Sequence, residues 1–139
     1  MNKVFDRVVM SAMTILLIAL LAYIVILVYP FKVVEYRGPY KVETPIVKAG
    51  ENLRYKRNFT KLISAQGLLH CTLQNGIIYA LPDKQSNWPV GEYHDSIEIT
   101  IPQTIPPSKY QYHCTVTFVL FGFRNVRHEF ITEEFLVVK

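Results

Sequence analysis

YQYHCTVTFVLF, residues 110–121, keeps an apolar–polar alternation as far as Phe118. Tyr110, Tyr112, Cys114, Val116, Phe118 and Leu120 share one parity. Gln111, His113, Thr115 and Thr117 share the other. Successive side chains of a strand point to opposite faces, so this pattern predicts a strand with one face in a core and one in water. Working outward, Pro and Gly punctuate further short runs rich in Val, Ile, Thr, Tyr and Phe. Strands are expected at 40–47, 53–62, 68–73, 77–81, 94–101 and 126–138, on either side of the 110–121 strand. Pro45 suits an edge strand. Asn75-Gly76 predicts a type I′ hairpin turn. Residues 82–91 read as a polar loop containing Trp88-Pro89, and Glu133-Glu134 as a bulge.

Seven strands in about 100 residues predict an all-β fold of the size of an immunoglobulin-like or fibronectin-type sandwich, here over residues 40–139. Ile105-Pro106-Pro107-Ser108-Lys109-Tyr110 resembles the Leu-x-Pro-x-x-Tyr corner that precedes strand F in such domains. The resemblance implies that the Tyr110 hydroxyl ties back to the loop backbone. Tyr112-His113-Cys114 imitates the Tyr-x-Cys of antibody-type domains, but Cys71 falls on the third strand and Trp88 in a loop, so the likeness is to the architecture. The whole layout is similar to small uncharacterised single-pass membrane proteins encoded by bacteriophages, through Ile105 to Tyr110, Phe123-Arg124-Asn125 and Phe135-Leu136-Val137. That resemblance implies no particular activity.

Towards the N-terminus the pattern changes. Residues 8–29, VVMSAMTILLIALLAYIVILVY, carry no charge. As a helix they span roughly 33 Å, enough for a hydrocarbon core of about 30 Å. Pro30 ends the run, and Tyr23 and Tyr29 suit a headgroup boundary. The stretch is read as an uncleaved transmembrane anchor, since a cleavable signal is usually shorter and ends in A-x-A. Residues 1–7 form a short head and 30–39 a stalk. Lys3 and Arg7 before the span and Lys32, Arg37 and Lys41 after it give no decisive bias. A short head followed by a folded domain is the usual arrangement of a signal anchor. The N-terminus is therefore expected inside and the domain on the extracytoplasmic (periplasmic or extracellular) side. Ser11, Ala12, Ala19 and Ala22 leave room for helix pairing, and homo-oligomers stay open.

The chain has 139 residues and a net charge of +4, with 15 basic and 11 acidic side chains. This balance is too even for a dedicated nucleic-acid binder. Two cysteines are too few for a disulfide-rich mini-protein. In an Ig-like sandwich the third and sixth strands are neighbours, and Cys71 and Cys114 both have inward parity. They read either as a disulfide or as two buried thiols. His70 and His113 fall on the opposite parity, where with His128 they are weak candidates for a metal. No cofactor is expected. There is no G-x-G-x-x-G, P-loop or G-x-S-x-G, so no enzyme is expected.

Arg54, Lys56, Arg57 and Lys61 form the densest basic patch, with Arg54 and Lys56 on an exposed strand face. Trp88 reads either as an anchor for a partner or as a cap on the sandwich. Phe121-Gly122-Phe123 straddles a turn. The expected function is a membrane-anchored interaction module. Its partners are the bilayer at residues 8–29 and a protein or envelope component at Trp88, Phe121, Phe123, Arg54 and Lys56. The alternatives are metal or redox chemistry at His70, His113, Cys71 and Cys114, or a membrane exclusion protein acting through its helix.

Overall fold

The computed structural model describes residues 2–139 and divides them at Phe31 into two compact units. The first contains helix α1 (Lys3–Val28). It starts five residues before the expected span and absorbs most of the head. Asp6 lies in its first turn, where a carboxylate complements the exposed backbone N–H groups. Thr14 Oγ1 donates to Met10 O at 2.9 Å, so the hydroxyl is satisfied inside the helix. Tyr29 leaves the helix in an extended conformation ahead of Pro30. No residue of α1 is buried. It is long and apolar enough to cross a membrane.

The second unit, residues 32–139, is built of strands. They are β1 (Val34–Tyr36), β2 (Ile46–Lys48), β3 (Asn52–Lys56), β4 (Phe59–Lys61), β5 (Gly67–Gln74), β6 (Ile78–Ala80), β7 (Lys84–Ser86), β8 (Gly91–Tyr93), β9 (Ser96–Thr100), β10 (Ser108–Leu120), β11 (Arg124–Ile131) and β12 (Phe135–Val138). The largest sheet runs β2-β12-β10-β5-β6, with β11 also on β10 and β7 also on β5. Two smaller sheets run β1-β4-β8 and β3-β9. β12 and β2 pair in parallel, so the sheets are mixed.

Strand β10 organises the core. Tyr110, Tyr112, Cys114, Val116, Phe118 and Leu120 are all buried, on the parity expected. The small sheets lie against this face. Tyr55 of β3 packs on Tyr112 with ring centroids 5.7 Å apart, and Lys61 of β4 lies over the Phe118 ring at 4.4 Å. Gly67 permits the closest approach. A Cβ there would come within 2.7 Å of the Phe118 ring and 2.8 Å of Val116. Across the β5–β10 ladder, Cys71 faces Cys114 with Cα atoms 4.1 Å apart, and a disulfide joins them.

Several elements differ from the sequence expectation. Among the described residues the seven expected strands become twelve, most of them shorter. The 53–62 run breaks between β3, which pairs with β9, and β4, which pairs with β1 and β8. The 126–138 run breaks at residues 132–134, where Thr132 turns its side chain into the core and β12 starts again beside β2. The stalk is a stalk only in part: Val33 and Val34 are buried and β1 pairs with β4. The 82–91 loop contains β7 and the start of β8.

The turns exchange character as well. Only Gly76 has a positive φ in the Asn75-Gly76 turn, where Asn75 Oδ1 accepts from the Ile77 N–H at 3.2 Å. This excludes type I′, which needs positive φ at both central residues. The paired positive angles occur instead at Phe121 (55°) and Gly122 (77°), with the Phe123 N–H donating to Leu120 O.

Candidate functional site

Arg57 lies just beyond β3 and is only 13% exposed. Its guanidinium is bidentate to Asp95, through Nε at 2.8 Å and a second bond from Nη2. Three rings surround it. Tyr93, Trp88 and Phe59 have centroids 5.3, 5.6 and 5.7 Å from the guanidinium carbon. Phe59 and Tyr93 stack on one another, and Trp88 packs on Phe59 at 4.9 Å. Trp88 is thus half-buried, closing this end of the β unit and holding Arg57 in one geometry. The Arg57 hydrogen bonds hold the Asp95 carboxyl below the ordinary carboxylate range.

Beside this cluster is a cleft of about 360 Å³. Arg37, Lys41, Lys56, Arg57 and His94 line it, against one lining carboxylate, Asp95. Asn58 also lines it, with Oδ1 shielded from solvent and without a hydrogen-bond partner among the described residues. Tyr40 forms part of the wall, and burial pushes its hydroxyl pKa strongly upward, so it stays protonated. The arrangement suits an anion. It places charge-assisted donors around a space large enough for a small polar group.

The other basic residues are disposed differently. Arg54 is exposed and paired with Glu98, whose carboxyl it holds below the usual range. Lys56 is exposed, 3.7 Å from Glu43. Lys61 is not part of a surface patch at all: it is fully buried, its Nζ donating to Ala65 O at 2.7 Å. Burial lowers its pKa. In the sequence Lys61 shares the parity of Leu53, Tyr55 and Phe59, and that parity is the buried one in both β3 and β4, so grouping it with the surface cations went against its own alternation.

Phe121 and Phe123 stand exposed at the β10–β11 turn. Phe121 is the one non-glycine residue with positive φ among the described residues, a conformation costly for a bulky side chain. The outer edge of β11 is a further surface. Ile131 turns its N–H and C=O outward to the Tyr36 hydroxyl and the Tyr40 N–H. Ladder alternation places those of Asn125, Arg127 and Glu129 on the same edge.

The histidines do not converge. His70 faces Thr115 and His113 faces Thr72, two positions apart in the ladder. His70 Nδ1 meets Asp83 at 2.6 Å. His128 Nε2 accepts the Val33 N–H at 3.3 Å, and burial lowers its pKa. Both cysteines are consumed in the disulfide. The Tyr110 hydroxyl donates to Pro106 O at 2.7 Å. The Arg57 cage was missed in the sequence. Its one trace there is an Arg two residues before Phe59, too common a pattern to single out.

No family model and no curated protein matches the chain. Among solved structures it is similar to part of a beta-glucosidase from Listeria innocua, determined in complex with glucose, at 11% identity and a TM-score of 0.36. The match covers 71% of this chain and spans 16% of that protein. A likeness of that size carries no argument about fold or activity.

Proposed function

We propose that the chain is a membrane-tethered binding module. α1 is its single span, with the N-terminus inside, and the β unit is an Ig-like sandwich on the extracytoplasmic side that recognises a protein or envelope component. The observation that carries this reading is the contrast in burial. α1 buries none of its apolar side chains, whereas residues 32–139 enclose a core of their own. An uncovered apolar helix of this length needs lipid. The sandwich reading draws support from the Tyr110 hydroxyl bond to Pro106 O and from the two small sheets lying on the buried face of β10. Recognition draws support from the basic cleft and from the strained, aromatic β10–β11 turn, both of them features that cost stability without filling the core.

Alkaline extraction and protease protection in intact cells test the reading together. The chain should stay in the membrane pellet, and external protease should digest residues 32–139 only after the outer barrier is opened or directly at the cell surface. Release by alkali, or digestion of the β unit only after the cytoplasm is exposed, overturns it.

A further inference from the structure

The cations of the cleft differ in how firmly they are held. Arg57 is locked between Asp95 and three rings. Arg37 has a 3.9 Å contact with Glu92 and an exposed 3.3 Å hydrogen bond from Nη2 to Thr60 Oγ1, and Lys56 a 3.7 Å contact with Glu43. Both pairs are exposed, and such pairs contribute little, so either side chain can turn to a ligand at small cost. Lys41 has no carboxylate within 4.0 Å among the described residues. The cleft therefore combines one fixed guanidinium with three cations that are loosely held or unpaired. Asn58 adds the opposite requirement. Its shielded Oδ1 is an acceptor awaiting a donor, and a buried acceptor left unsatisfied is costly. A bare anion would answer the cations and leave Asn58 unsatisfied.

We propose that this cleft binds an oxyanion carried next to a hydroxyl group, the chemistry of a phosphorylated or carboxylated polyol or sugar. The oxyanion lies between Lys41, Lys56 and Arg37, and the neighbouring hydroxyl donates to Asn58. The inference rests on the reading of the β unit as a binding module and names the class of ligand that module takes. Such a group is found both on soluble envelope polymers and on lipid headgroups.

The test uses the full chain in phosphatidylcholine nanodiscs, titrated with glycerol 3-phosphate and with sulfate while backbone amide resonances of the β unit are followed. Glycerol 3-phosphate should shift the amides around Lys41, Lys56 and Asn58 saturably. Sulfate, charged but without a hydroxyl donor, should bind several-fold more weakly. Lys41→Gln with Lys56→Gln should weaken glycerol 3-phosphate at least tenfold, while Lys109→Gln, exposed on β10 and outside the cleft, leaves it unchanged. Phosphatidylglycerol in the nanodisc should abolish the titration if the headgroup is the source and leave it intact if a soluble polymer is. Absence of saturation, equal weakening by Lys109→Gln, or equal affinity for sulfate overturns the proposal. Retention in the membrane pellet after alkaline extraction is scored for each variant in cells, so loss of the tether and loss of the ligand are told apart.

Discussion

α1 and β10 are both apolar stretches, yet they dispose of their side chains in opposite ways. In α1 none of 26 residues is buried. In β10 every second residue from Tyr110 to Leu120 is. A helix satisfies its own backbone, so α1 needs no neighbour and its greasy surface can face lipid all round. A strand satisfies its backbone only through its neighbours, so β10 draws β5, β11 and β12 around it and buries one face in doing so. Similar hydrophobicity thus has two outcomes: an uncovered surface suited to lipid in one case and the protein's own core in the other.

Four changes would break or sharpen that contrast. Phe118→Ala empties the centre of the buried face, where Phe118 is fully enclosed beside Gly67 and Lys61. It should cost about 3–5 kcal/mol, read as a large fall in the denaturation midpoint of the β unit. A small shift would mean that the β10 face is not a packed core. Leu17→Arg places a charge in the middle of α1. It should cost about 2.5–3.5 kcal/mol in insertion, measured as the membrane-integrated fraction. Unchanged integration would show that α1 does not lie in lipid at that depth.

Phe121→Asn should stabilise the β unit by about 1 kcal/mol in thermal unfolding, because Asn tolerates the left-handed conformation that Phe121 holds at φ 55°. A destabilised variant would show that the Phe121 ring contributes more than its backbone costs.

Lys61 supplies the smallest effect and the finest test of burial. Its pKa is lowered from 10.5, so in a window just below pH 10.5 the unfolded chain binds more protons than the folded one. Stability therefore gains from Lys61 as pH rises through that window, and the penalty of the buried charge is fully present below it. Lys61→Met should remove this dependence in denaturant midpoints measured from pH 7 to 10.5. The difference between the two proteins isolates Lys61, because the raised hydroxyl pKa of Tyr55, pushed up to about 12 by burial, acts in the opposite sense above pH 10. Identical slopes would mean that Lys61 reaches water.

The apolar helix and the buried parity of β10 were legible because both are local periodicities. An uninterrupted apolar run and a period of two need no knowledge of neighbours. The break between β3 and β4 was not legible, because it arises from each half choosing a different partner strand. Lys61 alternates in step with Leu53, Tyr55 and Phe59, so its inward parity was legible, but its charge argued for the surface, and the Ala65 carbonyl that receives its ammonium is supplied by the fold. Trp88 and Arg57 became a caged pair only because Phe59 and Tyr93 arrive from β4 and β8.

From the order of its residues alone, this protein is committed to a helix that lipid can surround and to strands with one apolar face, since both follow from where each side chain points along its own backbone. Which strands pair, what satisfies the enclosed lysine and which cations meet in the cleft belong to the tertiary structure. Those outcomes are decided by hydrogen-bond partners and ring contacts between segments far apart in the chain, whose encounters no local pattern encodes.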